Sequence, residues 1–279
     1  MRCVKMPGWL PGPPERVETL VVSGGGMKGV ATLGAVVALK RAGSLRHVKR
    51  VVGTSAGALV AAALATDRAS LKVLETLADL RYKPDIDLSK LLATFGLDSG
   101  RHLDKWISVL LGDTQYTFAQ IRERHGMDLV VCATNLTERR PMYFSPDATP
   151  DMDVALALRM SCTIPLYFSA LSHDGKVYVD GAVSDNFPLP WAAEKYGARR
   201  VLGICFQPRA SDPGRSIEEY VGALLECSTR RHYDPDDRRV LYLDTGARSA
   251  FEFNMSRRNM KKLYCVGARQ ARQWIKKNN

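Results

Sequence analysis

Cysteine is scarce in this chain and never clustered. The six among 279 residues (Cys3, Cys132, Cys162, Cys205, Cys227 and Cys265) include no Cys-x-x-Cys pair. That argues against a disulfide frame or a zinc site and predicts reduced, mostly buried thiols in a reducing compartment. Long apolar runs are missing too. The longest nearly apolar stretch, Val51 to Thr66, is too short to span a bilayer and carries a Gly/Ser turn. The N-terminus has no apolar core of the signal-peptide kind. The expectation is an intracellular, cytoplasmic protein that meets membranes only at their surface. Acidic residues are in deficit, 29 against 40 Lys and Arg, for a net charge of +11. Such a balance favours anionic partners: phospholipid head groups, nucleic acid or acidic proteins. No nucleic-acid motif and no interleaved aromatics accompany the charge, so nucleic acid is not expected. Neither an internal repeat nor a long linker is found, which predicts one domain.

What is present is a regular alternation of short β-branched runs and helical patterns. Val17 to Val22 reads as a strand, followed by a glycine-rich turn and a helix over about 30–41. Lys49 to Val52 reads as the next strand, parallel to the first by the rule for strand–helix–strand units. Strands are also predicted at Asp128–Thr134, Pro141–Ser145, Arg200–Phe206 and Val240–Leu243. Strands over Phe168 to Leu171 and Lys176 to Val179 flank His173-Asp174-Gly175 and predict a hairpin. Helices are predicted over about 56–65, 69–81, 117–124, 154–160, 189–196, 217–230 and 256–276. Strands alternating with helices call for a three-layer α/β/α sandwich with a mainly parallel central sheet. Residues 83–115 carry apolar stripes (Leu88, Leu91, Leu92, Phe95; Leu103, Trp106, Ile107, Leu110, Leu111) and are expected to add core helices rather than a lid.

Two glycine turns stand at the ends of the first two strands, where open α/β sheets bind ligands. The second is Gly53-Thr54-Ser55-Ala56-Gly57, a Gly-x-Ser-x-Gly between a strand and a helix. Glycine at both flanks allows a turn tight enough to hold the serine hydroxyl clear of the backbone. The helix start behind it favours developing negative charge. The first turn, Gly24-Gly25-Gly26-Met27-Lys28-Gly29, fits Gly-x-Gly-x-x-Gly. A dinucleotide site would need a carboxylate about twenty residues further on for the ribose. That position holds Gly53, Thr54 and Ser55 instead. The other reading is that glycine amides point at an oxyanion formed when a serine attacks an ester.

A serine nucleophile needs a base. The five histidines (His47, His102, His125, His173 and His232) sit in no motif that announces such a role. Asp180, in Asp180-Gly181-Ala182 at the end of a predicted strand, is the second candidate. A carboxylate is a poor base in water, but desolvation would raise its basicity. A Ser55–Asp180 dyad and a Ser-His-Asp triad using His232 both remain open on the residues alone.

Taken together and in this order, the two glycine turns and Asp180-Gly181-Ala182 resemble the three signatures of patatin-like phospholipases. Ala133 to Leu136, Tyr143 to Ser145, Ser161 to Pro165 and Asn186 to Pro188 are similar to further stretches of that family. The resemblance runs from about Val17 to Phe206. It implies a hydrolase of fatty-acyl esters in lipids or phospholipids, with no metal or organic cofactor. By position it implies Ser55 as nucleophile, Asp180 as proton acceptor and the 24–29 loop amides as oxyanion hole. Four prolines and two glycines within Met1–Glu15 predict a flexible arm over 1–16, outside the resemblance. A catalytic part is expected over 17–208, with 209–279 as the C-terminal part of the same domain and its closing basic helix. A catalytically idle lipid-binding or scaffolding relative is the alternative. From Arg257 to Asn279 there are eight basic residues, no acidic one, and an apolar face at helical spacing. Such a helix either lies on anionic lipid or docks on the sheet with its charges solvated; docking is the preferred expectation. The oligomeric state is not readable from the chain.

Overall fold

A computed structural model describes residues 16–80, 82, 83, 85, 86, 93–208, 217–229, 234 and 236–278. Residues 1–15 of the predicted arm, Leu88, Leu91, Leu92 and His232 lie outside the described residues. The central sheet has the order β10-β9-β1-β2-β4-β8-β7, with β5 also paired to β4. These strands are β1 (Thr19–Val22), β2 (Arg50–Thr54), β4 (Asp128–Asn135), β5 (Arg140–Phe144), β7 (Leu171–His173), β8 (Lys176–Asp180), β9 (Val201–Phe206) and β10 (Val240–Leu243). The run from β10 to β4 is parallel throughout. β5 and β8 run against β4, and β7 against β8. The sheet is thus mainly parallel, as expected.

Both faces of the parallel strands are buried, and the burial alternates by residue as strand geometry requires. Leu20, Val22, Val51, Leu129, Val131, Leu202 and Ile204 point into the larger core. Their neighbours Val21, Val52, Val130 and Val201 point into a smaller one. The larger side is covered by α1 (Gly29–Arg41), α2 (Ala56–Ala65), α3 (Leu71–Asp79), α4 (Arg101–Leu111), α5 (Phe118–His125), α6 (Val154–Ser161) and α10 (Arg257–Asn278). The smaller side is covered by α8 (Leu189–Tyr196), through Leu189 and Ala192. Two shorter pieces complete the frame: α7 (Ala182–Asp185) and α9 (Ile217–Thr229).

Within 83–115 the expectation divides. α4 is core: Leu103, Trp106, Ile107, Leu110 and Leu111 are all buried. Phe95 is not; it is 67% exposed. The strand expected at Phe168 to Leu171 also breaks in two. β6 (Leu166–Phe168) leaves the main sheet and pairs in parallel with β3 (Gly96–Asp98), and only β7 joins the hairpin. The hairpin turn itself falls at Asp174 and Gly175, both with positive φ, which suits these residue types. Of the described cysteines, Cys132, Cys162 and Cys205 are buried, whereas Cys227 and Cys265 are exposed.

One register decides the site. Ala133, Thr134 and Asn135 of β4 each face a β5 residue on one edge and a β8 residue on the other. Val131 and Cys132 face β5 on that same first edge, and β2 on the other. So β2 and β8 lie end to end along a single edge of β4, their carboxyl ends converging. Thr54 pairs with Cys132 and Asp180 with the next residue, Ala133. The residue after Thr54 is Ser55.

Candidate active site

Ser55 adopts φ 53° and ψ −129° between β2 and α2. A non-glycine residue held there stores strain of order 1–3 kcal/mol. The turn persists because it is fixed on all sides. Ser55 N–H donates to Ser161 Oγ at 2.8 Å, and Ser161 Oγ in turn donates to the Cys132 carbonyl at 2.6 Å. At Gly57 a Cβ would fall 2.5 Å from the Val22 and Ser23 carbonyl oxygens, so only glycine lets α2 pass the end of β1. At Gly53 it would fall 2.5 Å from the Gly57 carbonyl oxygen.

The hydroxyl of Ser55 donates to Asp180 Oδ2 at 2.7 Å. The other carboxylate oxygen, Oδ1, accepts from Ala182 N–H at 2.8 Å. Thr134 Oγ1 donates to the Asp180 backbone carbonyl at 2.8 Å, and Asp180 N–H donates to the Thr163 carbonyl at 2.7 Å. Asp180 is 0% exposed and Ser55 7%. Burial pushes the Asp180 carboxyl up to about 7, against the opposing pull of the Ala182 and Ser55 hydrogen bonds. A carboxylate in that range is poised to take a proton near neutral pH.

The glycine loop lies alongside. A Cβ on Gly24 would stand 3.2 Å from Ser55 Cβ and 2.2 Å from Asn186 Oδ1. Within the loop, four amides are committed. Gly24 N–H donates to the Asn186 carbonyl, Met27 N–H to Ala250, Lys28 N–H to Gly25, and Gly29 N–H to Gly26 and Met27. Among the described residues, the N–H groups of Gly25 and Gly26 have no protein acceptor. Lys28 Nζ forms an ion pair with Glu226 of α9 at 3.0 Å.

Ser55 borders two cavities. One is almost wholly apolar and runs between α1, α2, α3 and α4 past Val30, Leu59, Leu77 and Trp106. The other lies between the glycine loop and α9, with Asn186, Lys28, Glu226 and Phe206 on its walls. An ester with its carbonyl at Ser55 can lay an acyl chain in the first and its alcohol in the second. No described histidine lines either cavity. His173 instead meets Asp174 at 3.3 Å in the exposed hairpin, and His125 meets Tyr116. Among the described residues, no group of three or more His, Cys, Asp or Glu is placed to hold a metal ion.

A sequence model of the patatin-like phospholipase family matches residues 20–193, more than half of the chain. The chain belongs to that family. The patatin-like chain is 30% identical over 287 residues to YqhO of Bacillus subtilis (strain 168), covering 92% of itself and 97% of that protein. It is 28% identical over 195 residues to a protein of Invertebrate iridescent virus 6 named as a probable lipid hydrolase, 463L, covering 67% of each. Its fold is that of VipD from Legionella pneumophila, at TM-score 0.62 and 17% identity, over 98% of this chain and 72% of VipD. Human GIVD cytosolic phospholipase A2 aligns at TM-score 0.53 and 14% identity, over 94% of this chain and 59% of that one.

Ser161, Thr134 and Thr163 were within stretches similar to the family, but nothing in their spacing told what they hold. They act through backbone contacts to Ser55 and Asp180. Asp185 is a further anchor: its carbonyl accepts from Thr54 Oγ1 at 2.9 Å and its carboxylate from Tyr143 OH at 2.6 Å. The Asp-Gly-Ala-x-x-Asp spacing was its only sequence signal.

Proposed function

We propose that this patatin-like protein is a serine acyl hydrolase of phospholipase A type, cutting fatty-acyl esters of lipids through Ser55 and Asp180. The observation that carries this reading is the 2.7 Å hydrogen bond from Ser55 Oγ to a carboxylate that burial has lifted to about 7. Ser55 Oγ attacks the ester carbonyl carbon while its proton passes to Asp180 Oδ2. The carbonyl electron pair moves onto oxygen, where the Gly25 and Gly26 amides receive the charge. Collapse breaks the ester C–O bond, and the departing alcohol takes the proton from Asp180. Water then attacks the acyl-serine, gives its proton to Asp180, and Ser55 leaves carrying that proton. The fatty acid is released and the dyad is restored. No step calls on a cofactor.

The membership of the family and the name of the viral relative support a lipid as substrate. So does the apolar wall of the first cavity, which suits a hydrocarbon chain. The test is fatty-acid release from a panel of phospholipids, lysophospholipids and acylglycerols. Wild type should release fatty acid and Ser55→Ala should lose at least about a thousandfold of that turnover. A Ser55→Ala variant with wild-type release would overturn the reading. Lipid binding without release in wild type would point to the idle scaffold instead.

A further inference from the structure

Three of the most exposed large apolar side chains come from one small structure. Phe95 is 67% exposed, Ile86 51% and Leu166 43%. Gly96, next to Phe95, pairs with Leu166 across β3 and β6, and Ile86 bridges to Asp98 at the end of β3. The three therefore lie on or beside the neighbouring strands of one small sheet, and all three are exposed. Phe95 and Leu166 both hold left-handed backbone, at φ 57° and 65°. For bulky side chains that conformation is an outlier and costs free energy. Two strained residues that both present apolar groups to water are doubly unfavourable, unless something other than water covers them.

The platform beneath them is fixed. The carboxylate of Asp98, 1% exposed, accepts from Tyr82 OH at 2.8 Å and from the Asp85 and Gly100 amides. Tyr167 OH donates to Tyr82 OH at 3.1 Å. Tyr82 and Phe168, on the inner side of this platform, line the apolar cavity that reaches Ser55. The apolar tips thus stand on the outer side of the wall of the acyl cavity. Exposed Lys83 and Asp85 precede Ile86, and exposed Arg101, Asp104 and Lys105 follow β3 on the first turns of α4, three cations to two acids.

We propose that Ile86, Phe95 and Leu166 are the membrane-inserting edge of the protein and that their occupant is a lipid bilayer surface. Apolar tips beside the wall of the acyl cavity suit insertion between head groups. The small excess of cations beside them favours an anionic surface, and Phe-type side chains with nearby Lys and Arg are the usual composition of an interfacial contact. This inference rests on the lipid reading above and adds where the protein meets its substrate. It also differs from the site that the basic C-terminal helix would suggest.

The test compares wild type with Ile86→Ser/Phe95→Asn/Leu166→Asn in sedimentation with vesicles of phosphatidylcholine, alone or mixed with phosphatidylglycerol. Asparagine tolerates left-handed backbone, so the variant keeps its fold, and unchanged hydrolysis of a soluble short-chain ester checks this. Wild type should partition onto both vesicles and more strongly onto the anionic one. The variant should lose on the order of a hundredfold of partition on both. Undiminished partition of the variant, absence of vesicle binding by wild type, or a wild-type self-association abolished by the same substitutions would each overturn the proposal. Wild-type partition that depends on the three side chains, without any ester hydrolysis, would support the surface and sink the enzymatic reading alone.

Discussion

On the proposed mechanism Asp180 has to be buried to act, and that burial is destabilising. Its carboxyl sits at about 7 in the folded protein against 3.8 for the ordinary group. Between those values the native state holds a proton that the unfolded chain has released. Stability therefore falls as pH rises from about 4 to 7 and is flat above, by roughly 4 kcal/mol at most. Asp180→Asn removes that ionisation while filling the same space. We expect its turnover to drop by about a thousandfold and its stability to exceed wild type at pH 8, with the gap closing toward pH 4. Urea unfolding at the two pH values measures it. A variant less stable than wild type at pH 8 would contradict the burial argument. In the wild type, turnover should rise with pH through about 7 as Asp180 becomes free to accept a proton. The pair itself was legible: Ser55 from Gly-x-Ser-x-Gly, Asp180 from its strand-end glycine turn. The roles of Ser161 and Thr134 were not, because a hydroxyl that holds a backbone N–H or carbonyl leaves no spacing of its own.

At the scale of elements, the long closing helix shows how a sequence pattern leaves two outcomes open. Its apolar stripe fits a bilayer as well as a neighbouring helix. Packing decides: Met260, Leu263, Tyr264, Gly267, Ala268 and Ala271 are buried, mainly against α1. Two glycines make the contact close. A Cβ on Gly34 would lie 2.0 Å from the Tyr264 carbonyl oxygen, and one on Gly267 1.8 Å from that of Ala31. Backbone meets backbone at both points. Gly267→Val should force the helices apart and cost about 3 kcal/mol or more, read as a lower urea midpoint at unchanged slope. An unchanged midpoint would show that the contact is slack. Nothing in the local sequence told that two glycines 233 positions apart (267 − 34) face each other's helix. The same limit hid the convergence of β2 and β8 on one edge of β4. Which strand borders which is set by the packing of the whole sheet. The β3–β6 pair was missed for a related reason: two strands of three residues each, with three helices and two strands between them in the chain, carry no periodicity.

Among the described residues, the closing helix gathers much of the exposed basic charge. The outward side of α10 carries Arg257, Arg258, Lys261, Lys262, Arg269, Arg272, Lys276 and Lys277, all exposed. No helix among the described residues is long and apolar enough to cross a membrane. On the proposed membrane contact, exposed groups meet the lipid, and the cationic share of that contact must be screened by salt. Raising ionic strength from 0.05 to 0.5 M, on the order of a threefold contraction of the Debye length, should remove the preference for anionic vesicles and spare the apolar part. A preference that survives high salt would contradict this division. The ordered set of motifs made the architecture legible because each sits where a strand ends. The surface was less so, since exposure is a property of the finished fold. The most direct measurement of the central claim is covalent labelling with a fluorophosphonate, located by mass spectrometry. The account predicts one adduct, on Ser55, formed at a rate that rises through about pH 7 and collapses in Asp180→Asn. An adduct elsewhere, or labelling of Ser55 indifferent to Asp180, would contradict it.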